Sequence, residues 1–462
     1  MQTTFDLWRT SAAFAEVSIA TCASPAVRDV QRARRLAALF EAAAQRSPRY
    51  RRVFAGRNPA RTHLTDLPIA HKSELMGDFA GWVTDPALQL DELRRFIANP
   101  ANIAQSFLGR YTVWESSGST GEPAVFVQEA MAMGVYDALE ALRRPVLRPL
   151  QPWLDPWGLA ERTVFVGATG GHFASTVSVE RLRRLLPWLA QRLCGLSFLQ
   201  PIDALCRELE SHQPTVLATY PSAAVLLAEK QRAGQLHLHL REVWTGGEVL
   251  SPAARAFVQH AFSCPVSQSY GASEFLSLAF ECRHGSLHLN SDWAILEPVD
   301  EQGRAVPPGH AGATTLLTNL ANHVQPLIRY DLGDQVTVLS TPCACGSWLP
   351  VIEVSGRDDD TLVLSGGAGK TPIKVVPLAV STVLEEAGLF DFQVLQQTRR
   401  ELLLQSSLQG EGPRLALGAA GKQLQAFLRE QGAQDVRVHC RSGVTAQHGR
   451  SGKIRRVIVA TR

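Results

Sequence analysis

Trp114-Glu115-Ser116-Ser117-Gly118-Ser119-Thr120-Gly121-Glu122-Pro123 opens directly into the apolar run Ala124-Val125-Phe126-Val127, and the rest of the chain is organised around this transition. Glycines let successive backbone N–H groups turn toward an anion without a Cβ in the way, and Ser and Thr hydroxyls add further donors. The stretch therefore reads as a phosphate-holding loop feeding a strand, with Pro123 fixing its exit. Taken alone it also reads as a Ser/Gly-rich surface turn. What separates the two readings lies downstream.

Thr163–Ala168, Thr215–Tyr220, Glu242–Thr245 and Val266–Tyr270 have the composition of short buried strands, with helical stretches such as Ser222–Arg232 and Pro252–Phe262 between them. Strands alternating with helices imply a parallel sheet, and ligands of open parallel sheets bind beyond the carboxyl ends of the strands. Gly246-Gly247-Glu248 and Gly271 fall at that edge. Upstream, Pro25–Gln45 has helical spacing and Leu64–Leu75 reads as a linker and short helix. After Glu274 the pattern changes to short alternating strands with turns at Glu301-Gln302-Gly303 and Pro307-Pro308-Gly309, an antiparallel β subdomain. Beyond Gly356 a smaller α+β unit follows, with a hairpin over Phe392–Ser407, a helix over Lys422–Gln431 and strands at Val436–Cys440 and Arg456–Ala460. The expected fold is thus a large α/β N-terminal domain, residues 1–355, whose parallel sheet carries an antiparallel β subdomain. A smaller mobile α+β C-terminal domain spans 356–462.

Composition narrows the function. The 462 residues are 45% hydrophobic and 19% charged, an ordinary globular balance with room for more than one core. A net charge of +3 asks for neither nucleic acid nor a membrane surface as partner. The apolar stretch near the start is interrupted by Glu16, and no run long enough for a membrane span follows, so a cytoplasmic protein, monomer or homodimer, is expected. Eight scattered cysteines argue against a disulfide framework. Cys282 and His288, separated by five residues inside a predicted hairpin, can meet Cys343 and Cys345 in a Cys₃His zinc site, with His284 competing for the histidine position and free thiols as the alternative. Two apparent motifs fail. Gly369-Lys370-Thr371 lacks the first glycine of a Walker loop because Leu364 stands there, and Gly167-Ala168-Thr169-Gly170-Gly171 lacks dinucleotide-fingerprint spacing.

Four further segments follow in order: Tyr270-Gly271-Ala272-Ser273-Glu274, Ile328-Arg329-Tyr330-Asp331-Leu332-Gly333-Asp334, Gly356-Arg357-Asp358-Asp359 and Arg450-Ser451-Gly452-Lys453-Ile454-Arg455-Arg456. Together with the Ser/Gly loop this series resembles the adenylate-forming enzymes, the acyl-CoA synthetase superfamily, and specifically the phenylacetate–CoA ligase branch. The resemblance runs from about Leu67 to Arg456. It implies that Ser116, Ser117, Gly118, Ser119, Thr120 and Gly121 hold ATP phosphates, and that Gly247, Glu248, Ser269, Tyr270 and Gly271 lie along ATP or AMP. Glu274 would help hold Mg²⁺, which takes hard oxygen ligands. Asp334, with Asp331 as rival, would accept from both ribose hydroxyls, a task that suits two carboxylate oxygens. Arg357 would add a ribose or phosphate contact, and Asp359 would be the hinge about which the small domain turns. Lys453 would reach the carboxylate and the α-phosphate in the transition state.

The resemblance also implies a reaction: ATP-dependent activation of a carboxylic acid, aromatic by analogy with the branch, to an acyl adenylate that a thiol then captures. Tyr136, His172 and Phe173 are the acid-pocket candidates. Coenzyme A is the first acceptor and the phosphopantetheine of an acyl or peptidyl carrier protein the second. AMP transfer to a cofactor hydroxyl, or nucleotide binding with little turnover, remain the alternatives. The last draws on Glu122, which stands where the family carries a basic residue, and on the unusual Ser365–Lys374 stretch. Some members of the branch carry a structural zinc in the region of the four Cys and His residues.

Overall fold

The computed structural model describes residues 6–116, 123–144, 160–188, 190–355, 361–366, 371–389, 391–444 and 456–459. Its centre is a nine-stranded mixed sheet. In spatial order the strands are Gln335–Val338, Val351–Ser355, Leu287–Leu289, Phe275–Glu281, Val266–Ala272, Glu242–Thr245, Val216–Thr219, Thr163–Gly167 and Leu193–Ser197. The last five run parallel, as the alternation of strands and helices requires.

The antiparallel segment is more closely joined to the parallel one than the sequence indicates. Val266–Ala272 reverses at Ser273-Glu274 and pairs with Phe275–Glu281, so four antiparallel strands extend the same sheet. A three-stranded antiparallel sheet, Ala294–Val299, Thr314–Asn319 and Tyr330–Asp331, stands apart. The reversal contains a register shift between Tyr270 and Ala272. A Cβ added to Gly271 would lie 1.9 Å from the carbonyl oxygen of Leu276, so this bulge admits only glycine.

Thr112–Glu115 and Val125–Gln128 form the antiparallel hairpin that carries the Ser/Gly loop, with Trp114 opposite Phe126. Both rings are buried, and burial of a side chain the size of Phe126 contributes about 1.5–3 kcal/mol. Helix Ala130–Arg143 follows, and the N-terminal helix Leu7–Cys22 packs along it, with Asp6 capping by accepting from the N–H of Arg9. Arg143 anchors the helix end: its guanidinium donates to Asp292 at 2.8 and 2.9 Å and to Asn290 at 2.7 Å, with no solvent exposure on either charged side chain.

After residue 361, a four-stranded sheet in the order Arg437–Ser442, Glu401–Ser406, Gln393–Thr398, Val457–Val459 packs with helices Pro377–Glu386 and Glu411–Glu430. The second helix begins well before the expected Lys422. Pro413 sits in its first turn, where a missing N–H costs nothing, and Gly421 makes room for Cys440, whose Sγ would lie 2.5 Å from a Cβ there. This region shares a hydrophobic core with the parallel strands, joined by Gln431 Nε2 donating to the Leu199 carbonyl at 2.6 Å and by a Lys374–Glu229 ion pair. Among the described residues no helix is long and apolar enough to cross a membrane.

Candidate active site

A cavity of ≈ 1730 Å³ opens at the carboxyl edge of the parallel strands, and Ser116, Gly247, Gly271, Glu274, Tyr330 and Asp334 all line it. Three separate parts of the chain are tied together at its rim. Trp114 Nε1 donates to the Ser273 carbonyl at 2.8 Å, fixing the Ser/Gly hairpin to the tip that bears Glu274. Ser116 closes the hairpin mouth: its N–H donates to the Ala124 carbonyl at 2.9 Å and its Oγ accepts from the Ala124 N–H at 3.0 Å. Asn319 Nδ2 donates to the Glu274 carbonyl at 2.9 Å and to the Tyr136 hydroxyl oxygen at 3.0 Å, setting the third side.

Two of the carboxylates lining the cavity, Asp334 and Glu274, are each held by a tyrosine. Tyr270 donates its hydroxyl to Asp334 Oδ2 at 2.8 Å, and Tyr330 donates to Glu274. Burial pushes the Glu274 carboxyl above the usual carboxylate range, opposed by the Tyr330 hydroxyl and by the positive charge of Lys72. Burial also lifts Tyr270 well above its ordinary value, reinforced by Asp334, and acts likewise on Tyr330, reinforced by Glu274. Both phenols therefore stay protonated as donors. Asp331, the rival for the ribose, is occupied by its own turn: Oδ1 accepts from Thr314 Oγ1 at 2.5 Å and from the Gly333 N–H at 2.9 Å.

Tyr136 and Phe173, the acid-pocket candidates, line the cavity. His172, the third candidate, does not line it. Its ring is buried 5.9 Å from that of Phe96, and its carbonyl accepts the Glu115 N–H at 2.9 Å, just before Phe173 caps the start of helix Ala174–Leu185. Glu248 is likewise engaged elsewhere: its carboxylate accepts from Ser222 N and Oγ, both at 2.9 Å, satisfying the first turn of helix Pro221–Arg232. Ser269 lines the cavity with its Oγ accepting from Arg144 Nη2 at 3.1 Å. Ser117, Gly118, Ser119, Thr120, Gly121, Arg357, Asp359 and Lys453 lie outside the described residues.

Sequence reasoning passed over two residues. Lys72 lines the cavity near Glu274 because Ala70 bridges in parallel to Tyr330, and its rarity, one of only six lysines, was the available signal. Tyr330 lies inside the Ile328–Asp334 segment, where the family resemblance gives it no role.

Away from the cavity, the ligand atoms of Cys282, His288, Cys343 and Cys345 all lie within 4.8 Å of one another. The Cys282 and Cys343 sulfurs are 3.7 Å apart, and two thiolates ~2.3 Å from a tetrahedral zinc would stand roughly 3.8 Å apart. His288 Nδ1 lies 2.9 Å from the Leu349 carbonyl, a donor contact that leaves Nε2 for a metal, 3.3 Å from Cys345 Sγ. The exposed His284 is outside the group. The donor set fits zinc.

Residues 191–317, which include the Gly246-Gly247 and Tyr270–Glu274 segments, match the family described as AMP-binding enzyme. The fold is similar to that of 2-hydroxyisobutyryl-CoA ligase in complex with 2-HIB-AMP and CoA in the thioesterification state, with a TM-score of 0.57 and 20% identity over 96% of this chain and 91% of that one. This is the adenylate-forming fold. The same ligase in the postadenylation state with 2-HIB-AMP gives a TM-score of 0.55 at 20% identity, covering 96% and 92%. No curated protein matches the sequence.

Proposed function

We propose that this protein activates a carboxylic acid with ATP and passes the acyl group to the thiol of coenzyme A. The observation that carries this reading is the meeting of Glu274 and Asp334, each hydrogen-bonded to a buried tyrosine, with the Gly271 bulge in one cavity of an adenylate-forming fold. A carboxylate oxygen of the bound acid attacks the α-phosphorus of ATP, the bond to the bridging oxygen breaks, and pyrophosphate leaves. The thiol sulfur then attacks the acyl carbonyl, AMP departs and the thiol proton goes to solvent.

In this reading the loop from Ser116 to Gly121 holds the phosphates and Asp334 accepts from the ribose hydroxyls. Glu274 would hold Mg²⁺, which when bound supplies charge neutralisation at the phosphates. Lys453 stabilises negative charge at the α-phosphate, and Arg357 supports the nucleotide. Rotation of residues 356–462 about Asp359 would then withdraw Lys453 and admit the thiol. Phe14, Phe165 and Phe173 among the cavity walls favour an aromatic acid. Coenzyme A is preferred over a carrier protein because the ligase of similar fold is described with CoA bound. The zinc, held by Cys282, His288, Cys343 and Cys345, would be structural.

The test is product analysis. With ATP, magnesium and acid, mass spectrometry should detect an acyl-CoA and stoichiometric AMP. Thioester appearing only on a phosphopantetheinylated carrier protein would replace the acceptor, and AMP joined to a cofactor hydroxyl would replace the second half-reaction.

A further inference from the structure

One wall of the cavity carries an ion pair, Glu140 with Arg144, to which the nucleotide reading gives no role. Helix Ala130–Arg143 presents Glu140, and Arg144 follows at its end; both line the cavity, with side chains 36% and 22% exposed. Arg144 Nε pairs with Glu140 at 2.7 Å, its Nη2 donates to Ser269 at 3.1 Å, and its guanidinium lies over the Trp244 ring at 4.8 Å. Glu140 also accepts from Ser277 Oγ at 3.0 Å. Trp244 and Ser269 sit on neighbouring parallel strands, just before the Gly246-Gly247 and Gly271 turns, so this ion pair spans the wall beside the nucleotide segments.

Salt bridge, hydroxyl contact and ring stacking fix the guanidinium in one orientation, yet they use few of its five N–H donors. The indole N–H of Trp244 beneath Arg144, and elsewhere in the cavity lining the hydroxyl of Ser178, are buried with no hydrogen-bond partner among the described residues. Buried donors of this kind cost stability unless something accepts from them. Glu140 adds an acceptor. The wall thus offers donors and an acceptor at near-zero net charge.

We infer that the acid taken by this site carries a hydroxyl substituent, which accepts from Arg144 and donates to Glu140. A hydroxyl is a small neutral group able to do both. A second carboxylate would meet Glu140 repulsively, an ammonium would meet Arg144 so, and a bare hydrocarbon would offer nothing to the guanidinium N–H groups that the ion pair leaves over. This inference rests on the acid-activating reading and specifies its substrate.

The experiment is ATP–pyrophosphate exchange with matched unsubstituted, hydroxy-, amino- and carboxy-substituted acids on aryl, arylacetic and aliphatic frames. At least one hydroxy acid should exceed its unsubstituted parent in kcat/KM by about 100-fold or more, since a site built to hydrogen-bond a hydroxyl rejects the analogue lacking it. Arg144→Met and, separately, Glu140→Gln should collapse that ratio through the KM for the acid while leaving the KM for ATP unchanged. Parents that equal or exceed every hydroxy acid, or a ratio untouched by both substitutions, would overturn the inference while leaving acid activation standing. Exchange with no acid, despite ATP binding, would remove the activating reading and this inference with it.

Discussion

Tyr330→Phe removes one hydroxyl from the site and keeps the buried ring that anchors the segment between Ala70 and Leu317. That hydroxyl donates to the Glu274 carboxylate, which burial already pushes toward the protonated form. A hydrogen bond to a charged group contributes about 1.5–3 kcal/mol. If that stabilisation serves the ionised Glu274 needed for magnesium, its loss lowers kcat/KM for magnesium–ATP by roughly 10- to 140-fold. The sign of the pH effect is fixed by the same contact. A donor to the ionised form lowers a carboxyl pKa, so deleting it raises the Glu274 pKa further. Protonated Glu274 cannot ligate a cation, and activity falls as pH drops through that pKa; the acid limb therefore moves toward neutral pH and the magnesium requirement rises. Stability moves in the matching direction. A carboxyl whose folded pKa lies above its unfolded value destabilises the fold once pH rises through the folded pKa, so the ligand-free variant should lose more stability in weak alkali than in weak acid. Initial rates of pyrophosphate release across pH and magnesium concentration, with thermal melts of the free protein, read all three. An unmoved acid limb together with an unchanged magnesium dependence would refute the reasoning.

Removing one member of the fully buried Arg143–Asp292 pair strands the other charge, so Arg143→Met should cost about 3–5 kcal/mol in chemical denaturation, and the double variant Arg143→Met/Asp292→Leu should recover much of it. Gly271→Ala forces a Cβ against the Leu276 carbonyl and should lower stability by about 1–3 kcal/mol while abolishing acid-dependent pyrophosphate release, because the tip carrying Glu274 must shift. Purified protein should contain one zinc per chain by elemental analysis, and Cys345→Ser should bind it more weakly in a chelator competition; zinc-free wild type would sink the metal assignment.

Much of this was legible in the chain because the informative segments are local. The parallel strands from Thr163 to Ala272 announce themselves as short apolar runs with turn glycines at their ends, and Cys282, His288, Cys343 and Cys345 could be grouped by type. What escaped depends on tertiary pairing. The edge strand Leu193–Ser197 is short and interrupted by Gly195, and it becomes a strand through its register with Thr163–Gly167. His172 and Phe173 are neighbours in sequence but face different surroundings, which no composition rule separates. The partnership of Glu140, Arg144, Trp244 and Ser269 joins a helix to two strands across more than a hundred residues, so its polar character is visible only in the fold. The contact of the Glu248 carboxylate with the start of helix Pro221–Arg232 is likewise invisible in the chain, because it joins residues 26 apart.

The central claim is that this cavity forms an acyl adenylate, and ATP–pyrophosphate exchange against a panel of acids, repeated with Lys453→Ala, tests it most directly. Strong exchange with at least one acid is expected, and it should vanish in the variant while ATP binding is retained. Exchange absent with every acid, or undiminished in Lys453→Ala, would contradict it.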